Sequence, residues 1–347
     1  MGAGRADPLM AAASFLVRRV LATFVVLIAV TILTFVISHV IPGDPAQLIA
    51  GPRAGAAEVA QLRHALGLDR PLHEQYATYV VALLHGDLGA SIVTGQPVLR
   101  EILDRLPATI ELMGLALLLS VAVAVPLGVI AAAARPSPLD TVLRGLSTVA
   151  ISTPRFWVAM LLLGLFYGAL QWAPPSGRLS PGLTPHELTG LLTLDSLLRG
   201  DWRLLRDATA HLVLPVAALA IGNIGTFARI IRAAMIEVLA QDHIRTARAA
   251  GISQARILSV YALRNALLPF VTIAGLELAG LLFGSVTVES VFAWPGIGSY
   301  LLDAILDLNF PVIMGVTLFV SIGYAVINLL IDLSYRCIDP RLRAPAG

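Results

Sequence analysis

Six apolar stretches decide what this chain can fold into. They run at about Val20–Ile41, Leu112–Ala134, Phe156–Trp172, Leu212–Ala228, Ala266–Val288 and Phe310–Ile331. A bilayer hydrocarbon core is about 30 Å thick and needs about 20 apolar residues as a helix. Inside it every backbone polar group has to be satisfied by the segment itself, which leaves helices as the spanning form for runs of this kind. The expected fold class is therefore an all-α polytopic membrane protein with six transmembrane helices. The third and fourth runs are short and can extend at either end. The first is too long for the apolar part of a secretory signal, and no small-residue cleavage site follows it, so it reads as a retained anchor ended by Ile41-Pro42-Gly43-Asp44-Pro45.

The charges set the orientation. All 24 basic residues are arginine. With six spans both termini share one side. The N-terminus and segments 135–155, 229–265 and 332–347 then hold 15 arginines and 6 acids, against 9 arginines and 15 acids in 42–111, 173–211 and 289–309. The arginine excess follows the positive-inside rule and puts both termini in the cytoplasm. The absence of lysine also excludes a phosphate-binding P-loop, whose lysine reaches the terminal phosphates. The chain is thus no ATPase of that type. Its one cysteine, Cys337, forms no intrachain disulfide, and no clustered ligand set points to a metal or another cofactor.

Between the spans, segment 42–111 carries two helix-like stretches, Ala56–Leu66 and Leu72–Leu84, and reads as a small external subdomain. Segment 289–309 carries Trp294 and Tyr300, expected at the membrane interface. The unusual cytoplasmic segment is DHIRTARAAGISQARILSVYALRNALLP, residues 242–269, with four arginines in a chain that is only 13% charged. Nothing local breaks a helix continuing from the fourth span until Gly251, where a left-handed residue ends it. Ser253 is placed to cap the next helix, and Pro269 to open the fifth span. Arginine and apolar residues intermix on the second helix, so it need not be a free surface helix. Physical chemistry alone leaves two contacts open for this segment, anionic headgroups or a partner protein.

The segment resembles the coupling loop of binding-protein-dependent ABC importer permeases, with Arg245, Thr246 and Ala247 six to four positions before Gly251 and Leu268-Pro269 as the later LP pair. Arg245 stands where the usual motif has glutamate, which is similar to the peptide and nickel branch. Further stretches resemble that branch in order: the first span and its exit, LHGDLGAS, RLPATIELM, PPSGR, LDSLLRGDW, VESVFAWPGIG and IDPRLR. The resemblance implies a type I importer permease fold. It implies an anchor and external subdomain over 1–105, a permease core over 106–336 with its coupling loop at 236–266, and a cytoplasmic tail at 337–347. It further implies that Arg245, Thr246, Ala247, Arg248, Ala250 and Gly251 form the contact to a cytoplasmic ATPase. The implied partners are a homologous second permease, two ATPase subunits and an external binding protein; the cargo is di- or oligopeptides, with nickel or glutathione as alternatives. A secondary transporter is the rival of a different class, but no internal repeat or clear mid-membrane helix break is visible in the sequence.

Glu277 is the sharpest single residue. An acid near mid-span costs about 2.5–3.5 kcal/mol on insertion scales and should face a cavity or a partner. It is the leading candidate to line a translocation path and to meet a cation such as a peptide amino terminus, against a structural carboxylate paired between helices. Asn223 and Thr272 are further path candidates; each can equally serve as an interhelical hydrogen-bonding residue. His39 and His211 lie at span ends and need no special role. Gly164/Gly168 and Gly280/Gly284 have GxxxG spacing and are expected to pack helices.

Overall fold

The computed structural model describes residues 8–40, 45–51, 53–65, 67–185 and 188–338. The first span's exit at 41–44 and the tail from 339 on lie outside these residues. In chain order the helices are α1 (Pro8–Val40), α2 (Pro45–Ala50), α3 (Ala56–Ala65), α4 (Leu72–Leu84) and α5 (Val98–Ala133). They continue as α6 (Pro138–Ser152), α7 (Arg155–Leu162, prolonged as a π-helical turn Leu163–Ala169), α8 (Leu192–Arg199), α9 (Trp202–Leu239) and α10 (Asp242–Ala249). The last are α11 (Gln254–Arg256, running through a π-helical stretch Ile257–Ala262 into α12, Leu263–Val291), α13 (Ile297–Leu306) and α14 (Phe310–Ile338). Among the described residues five helices are long and apolar enough to cross a membrane, and six segments do so if α6 and α7 together make one span.

That pair differs from the sequence reading, which has one straight helix from Phe156 and no broken span. The axis turns by 101° between Ser152 and Arg155. Thr153 is extended (φ −88°, ψ 124°), as is Pro154 (φ −61°, ψ 135°). A proline disfavours helical backbone in the residue before it and has no N–H to donate. Pro107, Pro126, Pro215 and Pro269 lie inside continuous helices instead, which membrane helices tolerate when neighbours re-satisfy the freed groups. Pro269 opens the apolar run Pro269–Val291 as expected, but the helix that carries it starts earlier, at Leu263.

The chain divides into two compact units, one up to Leu106 with Ser299–Leu329, the other Pro107–Gly298 with Leu330–Ile338. In the first, α4 docks on α1. Thr31 Oγ1 lies 3.0 Å from the Tyr76 hydroxyl and His39 Nε2 3.1 Å from Gln75 Oε1, and Phe35 packs edge-on against Tyr76. Tyr300 donates to Glu101 Oε2 at 2.5 Å, and Arg105 stacks over the tyrosine ring. Burial and the adjacent carboxylate push the Tyr300 hydroxyl well above its ordinary pKa. Tyr300 is therefore a core residue, not the interfacial one the sequence led us to expect.

In the second unit α9 is the central post. Its buried face carries Leu212, Leu219, Phe227, Ile231 and Met235, and α6, α7 and α12 pack on it. Arg232 on α9 grips Asp140 on α6 through both carboxylate oxygens, at 2.5 and 2.7 Å, the fork geometry that makes such pairs strong. Above this clamp Gly225 lets the two backbones meet. A Cβ built there would lie 2.7 Å from the Ser147 carbonyl oxygen and 3.0 Å from Ile151. Gly164, Gly168 and Gly280 have no described atom within 4 Å of such a position, so among the described residues no helix packs onto these three glycines. Overpacking a tight site costs about 1–3 kcal/mol. Gly225→Val should therefore lower the melting temperature of the detergent-purified protein clearly, whereas Gly164→Val should leave it near wild type.

Candidate functional site

The basic segment folds into a separate helix. The long helix expected to reach Gly251 stops at Leu239; Ala240 is still helical, Gln241 is extended (ψ 153°), and α10 begins anew. No local breaker does this. The gain is tertiary: Ile244 and Ala247, three residues apart on one face, are buried among Met235, Val238, Ile257, Ala262 and Phe270. Gly251 ends α10 as expected, at φ +76°. Its N–H donates to the Arg248 carbonyl at 3.0 Å and that of Ile252 to Ala247 at 3.1 Å, the paired closure of a helix ending in a left-handed residue. Ser253 sits at the start of α11 but makes no side-chain cap bond. Arg245, Thr246, Arg248, Ala250 and Gly251 are exposed, while Ala247 is turned inward. Arg245 and Asp242, 3.3 Å apart, are both largely in solvent, so that pair adds little.

Four of the stretches quoted above meet in a buried polar network. Arg178, from PPSGR, donates to Glu111 Oε2 at 2.5 Å and to the Gly190 carbonyl at 2.9 Å. The other Glu111 oxygen accepts from the Thr193 N–H and hydroxyl at 2.7 and 2.6 Å. Thr109 donates to Glu289 at 3.0 Å and accepts from the Ile297 N–H at 2.9 Å. Trp294 is buried, and its indole N–H donates to the Ala108 carbonyl at 2.9 Å. This corrects the interfacial placement expected for that residue. Asp195 is 1% exposed and accepts from the Thr189 hydroxyl at 2.7 Å and from the N–H groups of Leu188, Thr189 and Gly190 at 3.0–3.1 Å. Burial pushes its carboxyl up, but the hydrogen bonds outweigh burial and hold it below the ordinary aspartate value.

The third group gathers around Arg155, which the sequence reading passes over. Arg155 is the first residue after the break between α6 and α7. Its Nη2 donates to Asn223 Oδ1 on α9 at 3.1 Å and stands 3.8 Å from Glu277 Oε2 on α12. Its Nη1 runs over Gly284, where any Cβ would collide with the guanidinium. Asn223 is 1% exposed and its Nδ2 has no partner among the described residues. The side chains of Arg155 and Glu277 are 27% and 28% exposed. Two of the three path candidates, Glu277 and Asn223, thus share one cation. Thr272 is half-buried on α12 and joins none of these bonds.

The family described as "Binding-protein-dependent transport system inner membrane component" matches residues 124–344, and its N-terminal counterpart matches residues 12–113. The chain belongs to this family. It is 47% identical to the probable D,D-dipeptide transport system permease protein DdpB of Escherichia coli K12, over 96% of this chain and 98% of that protein. It is 40% identical to the dipeptide permease DppB of the same strain and to a di/tripeptide permease of Pseudomonas aeruginosa, each over 95% of this chain and 98% of the relative. Among solved structures, the inward-facing methionine ABC transporter MetNI superposes with a TM-score of 0.52 at 18% identity, over 67% of this chain and 93% of that one. An amino acid ABC transporter gives 0.50 at 17%, over 69% and 94%. The fold is therefore that of ABC importer permeases. The protein is an integral, multi-pass permease of the inner membrane and acts in a system that includes an ATPase and a binding protein.

The Asp195 cradle gives the permease a testable pH signature. The folded pKa is lowered, so the carboxylate's contribution is present above the unfolded pKa and is lost as pH falls through the folded value. Asp195→Asn should melt below wild type at neutral pH, and the gap should close in acid, where the wild-type carboxyl is protonated. A gap independent of pH would contradict the cradle.

Proposed function

We propose that this permease carries di- and oligopeptides into the cytoplasm by alternating access driven by ATP hydrolysis in partner subunits. Near full-length identity to three permeases named for dipeptides or di/tripeptides carries the cargo reading. The assembly would contain a homologous second permease, two ATPases and an external binding protein. Both termini and α10 would lie on the cytoplasmic side, as the arginine distribution favours. There α10 would be the coupling helix. Its inward face, Ile244 and Ala247, holds it on the permease, and its outward residues Arg245, Thr246, Arg248, Ala250 and Gly251 would meet the ATPase. Glu277, Asn223 and Thr272 would line the path. Domain limits follow the same reading: an anchor and external subdomain to 105, a core over 106–336, and a short tail.

Uptake of labelled dialanine, in the L,L and D,D forms, and of labelled nickel would be compared in cells with and without this chain, before and after ATP depletion. Loss of ATP-dependent dipeptide uptake alone supports the proposal, and the stereoisomer affected identifies the peptide class. Loss of nickel uptake alone replaces the cargo. Interfacial like-charge contacts cost several kcal/mol, so Arg245→Glu with Arg248→Glu should cut uptake about 10-fold or more while leaving the protein in the membrane. Co-purification of the ATPase with that double variant should fall in parallel.

A further inference from the structure

We infer that Arg155, with Asn223 beside it, is a binding subsite for the free α-carboxylate of the transported peptide, and that Glu277 is the resident counter-ion this carboxylate displaces. The inference rests on the peptide reading above and goes beyond it, by assigning which end of the cargo meets which group.

The guanidinium is fixed in place. Asn223 Oδ1 holds it at 3.1 Å from α9, and Gly284 on α12 leaves it the room that any side chain would occupy. It is also the first residue of α7, whose Pro154 cap offers no side-chain acceptor, so the positive end of that helix lies at the same point. A guanidinium has five N–H donors, and its one hydrogen bond among the described residues is to Asn223. The counter-ion is not fixed in the same way. Glu277 Oε2 is 3.8 Å away, outside hydrogen-bond range, and Glu277 accepts no hydrogen bond from any described residue. Both side chains remain more than a quarter exposed, although Glu277 lies eight residues into the apolar run Pro269–Val291.

A loose, partly exposed pair of this kind suits exchange. A substrate carboxylate can take the fork of Arg155 with two short charge-assisted bonds, which Glu277 does not make. The Asn223 amide nitrogen, buried and without a partner next to the oxygen that Arg155 uses, is a further donor at the same place once the cluster opens. Glu277, released, becomes the acceptor for the peptide ammonium. One zwitterionic pair is replaced by two cross-pairs, so the net charge held at membrane depth does not change, and an uncompensated buried charge is avoided. No bond is made or broken in this exchange.

The test uses the detergent-purified permease with its partner subunits and no binding protein, so that selection by that protein does not enter. Binding of L-alanyl-L-alanine, its C-terminal amide and its N-acetyl derivative would be measured by saturation-transfer NMR. In wild type the free dipeptide should bind about 10-fold or more tightly than the amide. Arg155→Gln should bring the dipeptide down to the level of the amide and leave the amide unchanged. Arg155→Lys, which keeps charge and loses the fork, should keep part of the preference. Glu277→Gln should keep the acid-over-amide ratio and abolish the preference over the N-acetyl form. Equal binding of acid and amide by wild type, no binding of either, or an equal fall for both in Arg155→Gln overturns the subsite. If cells lacking this chain nonetheless lose dipeptide uptake, such a result sinks the subsite alone; if dipeptide uptake does not depend on the chain, the peptide reading falls and the subsite with it.

Discussion

An ionised group held away from water has to find a counter-charge or a set of hydrogen-bond donors inside the protein, because the alternative is several kcal/mol of desolvation per ion. That constraint organises the permease core. Asp140 on α6 is answered by Arg232 on α9, Glu111 on α5 by Arg178, and Asp195 by three backbone N–H groups and a hydroxyl. Each of these joins segments far apart in the chain or pins an irregular loop. Apolar burial alone gives little direction in a bilayer, since lipid is as apolar as a leucine side chain. The specific positions of α6 on α9, and of Arg178 and Thr193 on α5 at Glu111, are therefore set largely by polar contacts.

Much of the fold is legible because the bilayer imposes a length and a composition. The six apolar runs, the two helices α3 and α4 after the first span and the turn at Gly251 all follow from rules local to the sequence. The helix break between α6 and α7 does not. Pro107, Pro126, Pro215 and Pro269 lie inside continuous helices with no such consequence, and only the surroundings distinguish them. The same holds for the end of α9 at Leu239. Ala240 and Gln241 are ordinary helix residues, and the chain leaves the axis there because Ile244 and Ala247 then reach a core shared with Met235, Val238, Ile257, Ala262 and Phe270. A tertiary gain of that kind overrides propensity and leaves no local mark.

The site is legible to a similar degree. A lone acid in an apolar run is conspicuous, so Glu277 is found without any structure. Its partner is not, because Arg155 lies at the edge of a run, where an arginine passes as one more cytoplasmic positive charge. Asn223 is visible as a polar residue in a span, but whether it faces the path or another helix depends on which neighbour it meets; it meets Arg155. Trp294 and Tyr300 mislead for a related reason. Interfacial and buried aromatics share the same apolar body and polar tip, and what separates them is a buried acceptor, here the Ala108 carbonyl and the Glu101 carboxylate.

The spacing of the ion pairs separates scaffold from machinery. Arg178–Glu111 and Arg232–Asp140 close to 2.5 Å around carboxylates that are 3% and 5% exposed. The chain evidently has the backbone geometry to complete such a pair when rigidity is the outcome. Arg155–Glu277 is likewise an arginine–carboxylate pair, between α7 and α12, yet stays at 3.8 Å and more than a quarter open. Its cation is anchored by Asn223 and Gly284 rather than by its anion, so the anion can leave without the arginine moving. A pair built for stability would anchor both partners, whereas one that anchors only the cation keeps a charged, partly exposed position ready for a different anion.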